Sequence, residues 1–178
     1  MKVYLAGPDV FLADAIAVGA RKKALCAARG LEGLFPLDGG AAQNDPASIF
    51  RACMTMLRAA DAGVFNLTPF RGTGADPGTA FEMGAMHALG RPLVAYTADE
   101  RDLADRVRAV AGPVSVGPMG EMDRDGLQIE DFGGAENLML TIPALDVVRR
   151  PPREGETALA ALAAFEVALD RLCALARP

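Results

Sequence analysis

Asp76 and Glu82 stand six positions apart in the run Asp76-Pro77-Gly78-Thr79-Ala80-Phe81-Glu82-Met83-Gly84. Asp76 is placed to start a helix, because an acceptor side chain is followed by a proline whose missing N–H costs nothing in the first turn. Gly90-Arg91-Pro92 supplies the stop. Between these signals lie Phe81, Met83, Ala85, Met86, Ala88 and Leu89, so the helix is expected to be buried on most sides. A carboxylate on it loses its hydration unless hydrogen bonds or a ligand replace the water. Acids placed this way point to chemistry. Read singly, Asp76 is a helix cap and Glu82 a core acid tied to backbone or to a tyrosine. Tyr4, on the first predicted strand, changes that reading. A phenol beside a buried carboxylate can hold it ionised and aimed, as an attacking oxygen requires.

The remaining reactive residue types are less distinctive. Asp61 precedes an apolar stretch, an ordinary place for a solvated acid. His87 falls on the opposite side of its helix from Glu82 and reads as a surface or interface residue. The loop Arg71-Gly72-Thr73-Gly74-Ala75-Asp76 lacks the Lys-Ser/Thr of a P-loop, and no dinucleotide fingerprint follows strand one. Asp76 would also repel a phosphate at that helix start, so a lid or a substrate-facing loop is the better expectation. Cys26, Cys53 and Cys173 are odd in number and far apart, which predicts buried free thiols in a reducing cytoplasm. With one histidine and no CxxC or HExxH pattern, no metal site is expected. The chemistry foreseen for the carboxylates requires no cofactor.

The elements that must position these residues follow an α/β rhythm. Half of the 178 residues are apolar, with few aromatics and much Ala and Gly, as close helix–sheet packing requires. A net charge of −5 without any basic run disfavours nucleic acid as a partner. No apolar stretch reaches the ~18 residues of a membrane span, and the N-terminus runs directly into a strand pattern rather than a signal peptide. Strands are predicted at 2–6, 34–37, 62–67 and 93–96. Helices are predicted at 11–29, with Arg21, Lys22 and Lys23 as its wet face, then from Asp45-Pro46 to Leu57, from Asp76 to Leu89, and near 101–110. Residues 39–44 and 68–75 read as loops. The stretch 112–145 is too long for an ordinary connection, 149–156 reads as a polar linker, and an amphipathic helix over about 157–176 closes the chain. This spacing implies parallel βαβ units in one domain over 1–178: a doubly wound, flavodoxin-like or Rossmann-like open sheet of about five strands with flanking helices. Ligands in such sheets collect at the carboxyl ends of the strands.

In order along the chain, Tyr4-Leu5-Ala6-Gly7-Pro8, Asp61 before an apolar strand, Asp76-x-Gly78-x-x-x-Glu82-x-Gly84 and Asn137-Leu138-Met139 resemble the nucleoside 2-deoxyribosyltransferase family over residues 2–140. The resemblance implies exchange of nucleobases on 2′-deoxyribose by double displacement, a reaction of nucleotide salvage. Glu82 would be the nucleophile that carries a covalent deoxyribosyl ester, Tyr4 would orient it, and Asp61 would exchange a proton with the base. Asp76 would hold sugar hydroxyls beside Gly7 and Gly78. Asn137 and Met139, delivered by a neighbouring subunit of a homo-oligomer, would complete the pocket. The turn Gly7-Pro8-Asp9-Val10-Phe11 is longer than in the shortest relatives, which offers Phe11, or as second choice Phe70, as the side chain stacking on the base. Physical chemistry agrees with the implied roles: glycosyl transfer through an oxocarbenium-like state needs a carboxylate beneath the anomeric carbon, and water must be kept from the ester.

Two other readings stay open at this point. A deoxynucleoside 5′-monophosphate N-glycosidase of the same superfamily would hydrolyse rather than exchange; it should carry Ser and Arg donors on the turn after strand one, where this chain has Pro8, Asp9 and Val10, and Asp9 would repel a dianion. A non-catalytic nucleoside-binding protein should lack the nucleophile, yet Glu82 is present.

Overall fold

The computed structural model describes residues 1–39 and 45–175. Strand β1 (Lys2–Ala6) is flanked by β2 (Glu32–Leu34) and β3 (Ala62–Asn66); β4 (Leu93–Thr97) and β7 (Val147–Arg149) follow outward, giving a five-stranded sheet in the order β2-β1-β3-β4-β7. All four pairings are parallel. The sheet is therefore the flavodoxin-like form of the open, doubly wound fold, and its order reverses between β1 and β3.

Alternation along the strands builds two cores. Val3, Leu5, Val64, Val94 and Tyr96 face one side, against Cys26 of α1 (Ala15–Ala27) and Phe165, Leu169 and Leu172 of α6 (Leu162–Leu175). Tyr4, Ala6, Phe65 and Ala95 face the other, against Met54 and Leu57 of α2 (Pro46–Ala59) and Met83 and Met86 of α3 (Pro77–Ala88). Tyr4 is thus turned toward the two helices that carry the cleft. Asp45 caps α2 by accepting from Ala47 and Ser48 N–H, and Asp76 caps α3 by accepting from Thr79 N–H.

Several sequence expectations are corrected. Pairing of β2 ends at Leu34, upstream of the predicted 34–37, because Pro36 has no N–H to give a ladder and opens a 3-10 turn through Gly39. The rest of the 39–44 loop lies outside the described residues. The helix expected over 11–29 begins only at Ala15, after a 3-10 turn, Pro8–Phe11, and an extended Leu12. Its Lys22 is not on a wet face: it is 1% exposed, with Nζ 2.7 Å from both Asp9 Oδ2 and the Tyr96 hydroxyl oxygen. The final helix starts at Leu162 rather than near 157, after Ala161 takes a φ of 45°. Arg149, expected in a linker, ends the fifth strand.

The long stretch after α4 (Leu103–Val110) resolves into a hairpin of β5 (Ser115–Gly117) and β6 (Gly120–Met122) and the short helix α5 (Leu138–Thr141). Helix α3 is less buried than its composition predicts, since Phe81 and Leu89 stand open at 56% and 46% exposure. Among the described residues, no helix is long and apolar enough to cross a membrane.

Candidate active site

At the carboxyl ends of β1 and β3 the sheet opens into a cleft of about 350 Å³. The turn after β1 contributes Gly7, Val10 and Phe11, the start of α3 contributes Asp76, Gly78, Thr79 and Glu82, and α2 adds Ile49 and Cys53. The Tyr4 hydroxyl rises from β1 beneath them and donates to Glu82 Oε1 at 2.5 Å. Burial pushes the Glu82 carboxyl up to about 7; the Tyr4 bond pulls it down and the charge of Asp76 adds to the rise. The same burial, with the neighbouring Glu82 charge, raises Tyr4 so far that it stays a phenol and keeps the proton it donates to Glu82. One carboxylate oxygen is therefore held by a fixed donor while the group faces a cavity.

Asp76 accepts both Thr79 N–H at 2.8 Å and Thr79 Oγ1–H at 3.0 Å on the single oxygen Oδ2. Among the described residues Oδ1 has no protein donor, and Asp76 lines the cleft, so it remains free for a hydroxyl. Gly78 permits this geometry, because a Cβ there would stand 3.1 Å from Asp76 Oδ2. Gly7 is more constrained: its Cβ would meet Asp9 Oδ1 at 2.4 Å and Asn66 Cβ at 2.5 Å. The two approaches have one origin. Asp9 turns inward, where Lys22 and the Asn66 amide nitrogen, at 3.3 Å, neutralise and hold it. Asp9 therefore presents no charge to the cleft, and the repulsion expected of it toward a phosphate is withdrawn. Asp76 is the carboxylate that stands there instead.

Phe11, 59% exposed, stacks on Phe70 with ring centroids 5.0 Å apart, and the Arg71 guanidinium lies over both rings. The two aromatics expected as alternatives for stacking on a base thus lie against each other at the mouth of the cleft.

Three predicted residues are not brought to this cleft. Asp61 sits at the amino end of β3, where its Oδ2 accepts from Lys2 N–H at 2.7 Å and its Oδ1 lies 3.8 Å from Arg91. Lys2 and Arg91 mark the amino ends of β1 and β4, so Asp61 is separated from Glu82 by the length of a strand, roughly 15 Å. Parallel pairing leaves no other position for a residue that begins β3. Its expected exchange of a proton with the base is thereby removed from this chain's own cleft. Asn137 caps α5, accepting from Met139 N–H at 3.0 Å and donating to Glu130 Oε2 at 2.7 Å. It does not line the cleft, and Met139 points to solvent at 72% exposure.

Cys53 is the residue that sequence reading missed. The sequence predicts a buried free thiol, yet Cys53 is half-buried and lines the cleft beside Tyr4 and Glu82. Burial, and then the Glu82 charge, raises its thiol, so it is neutral at physiological pH. Ile49 and Cys53 share the i, i+4 face of the helix that Asp45-Pro46 starts, which marks a packed face but not the group it packs on. A larger cavity of about 560 Å³ lies under the hairpin. Its carboxylates are already engaged, Glu121 and Asp131 by Arg108 and Glu130 by Asn137 and Leu138, unlike Asp76 Oδ1 in the smaller cleft.

Residues 3–139 match the family model described as nucleoside 2-deoxyribosyltransferase. A Schizosaccharomyces pombe protein, uncharacterized protein C191.05c, is 35% identical, with 77% of this chain and 74% of that protein covered. The solved 2-desoxiribosyltransferase of Leishmania mexicana superposes with a TM-score of 0.67 at 29% identity, covering 95% of this chain and 97% of the other. A conserved protein of Enterococcus faecalis V583 shares the fold, with a TM-score of 0.55 at 18% identity over 97% and 98% of the two chains.

Proposed function

Because the chain belongs to the nucleoside 2-deoxyribosyltransferase family, we propose that it moves 2-deoxyribose from one nucleobase to another through an ester on Glu82. The observation that carries this reading is the hydrogen bond from Tyr4 to Glu82 at the wall of the cleft that also holds Asp76. A Glu82 carboxylate oxygen attacks C1′, and the C1′–N bond breaks with its electron pair passing to the departing base. The departed base takes up a proton from solvent; a ring nitrogen of the second base then attacks C1′, giving its N–H proton back to solvent, and the ester oxygen leaves with its pair, restoring Glu82. Two inversions return the original anomer.

Tyr4 orients the nucleophile and stabilises the negative oxygen each time it is released. Oδ1 of Asp76 receives a sugar hydroxyl, the 5′-OH, while Gly7 and Gly78 let the sugar approach the backbone. Phe11, backed by Phe70, stacks on the base. Asn137 and Met139 act in the cleft of a neighbouring subunit of a homo-oligomer. That role is supported by the exposed apolar side chains around α5 and α3, Phe81, Met139, Ile142 and Leu145, a grouping that suits a subunit contact. Asp61 has no part in the scheme.

The test is exchange itself. Deoxyinosine mixed with free adenine should give deoxyadenosine and hypoxanthine, and Glu82→Ala should abolish the reaction without unfolding the chain. Accumulation of free base and deoxyribose alone, or of deoxyribose 5-phosphate from a deoxynucleoside monophosphate, would make the protein a hydrolase. Soaking with a 2′-fluoro-deoxynucleoside should trap the ester on Glu82.

A further inference from the structure

We propose that the buried pair Arg106–Glu136 positions the substrate groove, by fixing the chain immediately before Asp76 against the segment that carries Asn137. Arg106, on α4, is 2% exposed and Glu136 is 4% exposed. Every guanidinium nitrogen donates: Nε to Thr73 O at 2.7 Å, Nη1 to Arg101 O at 3.0 Å, and Nη2 to Ala135 O at 2.7 Å and Glu136 Oε2 at 3.2 Å. Glu136 Oε1 in turn accepts Asn137 N–H at 3.0 Å, and the nearby Ala75 N–H favours the charged carboxylate. One ion pair thus holds Thr73, beside Ala75, on one side and Ala135 and Asn137 on the other. Gly74 fits between, since a Cβ there would touch Glu136 Oε1 at 3.4 Å.

Taking two charges out of water costs more than their attraction returns unless every remaining donor and acceptor is satisfied. Packing alone would be served as well by apolar side chains. What the pair supplies is placement: the planar fork of an arginine meets three carbonyl oxygens and a carboxylate at fixed angles, which a lysine cannot do. The glycine-rich loop, read from sequence as a lid, is consequently tied down, and it delivers Asp76 to the cleft in a set position.

This inference rests on the reading of Asp76 as the partner of the sugar's 5′-hydroxyl. The experiment compares kcat/KM for a 2′-deoxynucleoside donor with that for the matching 2′,5′-dideoxynucleoside, in the full-length wild type, Arg106→Lys and Glu136→Gln. The wild type should favour the donor with the 5′-hydroxyl. In Arg106→Lys that preference should shrink about tenfold, mostly through KM of the hydroxyl-bearing donor, because a displaced Asp76 no longer meets it. Glu136→Gln, equal in size, retains only one acceptor oxygen for two N–H groups and should shrink the preference in the same direction.

A general loss of stability would lower both rates together and leave the preference intact. An unchanged preference in a folded variant, judged by its thermal transition, overturns the proposal; should Arg106→Lys not fold, Glu136→Gln decides alone. A wild type that exchanges bases but treats both donors alike removes this proposal and the role of Asp76, while the transferase reading survives. A wild type that exchanges nothing sinks that reading first.

Discussion

The Tyr4 hydroxyl donates to Glu82 Oε1 at 2.5 Å across 78 residues of sequence, joining the first strand of the sheet to the helix that Asp76 starts. Two effects compete at that contact. Burial favours the neutral carboxyl, and the phenol bond favours the carboxylate. Burial wins, which leaves Glu82 near 7 and only partly ionised in the free protein at neutral pH. The arrangement trades ionised fraction for reactivity, because a poorly solvated carboxylate is a stronger nucleophile once it has lost its proton.

The first consequence is a pH dependence. Attack needs the ionised form, so kcat/KM for base exchange should be flat at alkaline pH and fall as pH drops through about 7, losing roughly tenfold per unit below it. An initial-rate profile from pH 5 to 9 with saturating acceptor base measures this. An acid limb centred at 4 to 5 would mean that Glu82 is solvated or is not the essential group.

Tyr4→Phe removes the bond that lowers Glu82 and leaves the ring to pack. A hydrogen bond to a charged group contributes about 1.5–3 kcal/mol, so the acid limb should move upward by ~1–2 pH units. Activity at pH 7 should fall on the order of 10²-fold, part from lost ionised fraction and part from the released oxygen's missing donor. If activity fell with the limb in place, Tyr4 would be supporting the transition state alone.

How far the cleft could be read from sequence follows from which interactions are local. Asp76, Gly78 and Glu82 sit on one helix, and the cap-and-proline start sets their mutual geometry before any tertiary contact forms. Tyr4 could be added because strand alternation puts it opposite Val3 and Leu5, on the side of α2 and α3. Lys22 and Cys53 could not be read the same way. Each lies in a helix whose pattern fits its residue type to solvent or to core, and the decisive partners, Asp9 and Tyr96 for Lys22 and Tyr4 for Cys53, are distant in sequence. Strand β7 was missed because three residues at a sheet edge carry too little alternation to distinguish them from a linker. The resemblance assigned Asp61 to the chemistry, but the parallel sheet directs the two ends of β3 to opposite edges.

Asp61→Ala tests that last point directly. The acid is half-exposed and, among the described residues, bonded only to the Lys2 amide, with Arg91 nearby, so its removal should cost about 1 kcal/mol of stability at most and leave kcat/KM within about twofold. Urea unfolding together with the exchange assay measures both. A 10²-fold loss of kcat in a fully folded variant would place Asp61 at a reacting base after all, with the cleft of another subunit as the only route open to it.

Glu82→Gln separates function from stability. Burial raises the carboxyl from 4.5 to about 7 in the folded chain. Between those values the folded state therefore keeps a proton that the unfolded state has released, and stability falls as pH rises across the window. Above it the wild type carries a penalty on the order of 2–3 kcal/mol, allowing for the partial exposure of the site. Glutamine has no charge to desolvate and can still accept from Tyr4 through its amide oxygen. The variant should be catalytically dead, yet at pH 8 it should melt roughly 4–8 °C above the wild type, with the gap closing toward pH 4.5. Thermal melts of both proteins at the two pH values decide it: a gap that stayed constant with pH would show that Glu82 is not the titrating group, and a lower melting temperature at pH 8 would show that the carboxylate is well solvated where it stands.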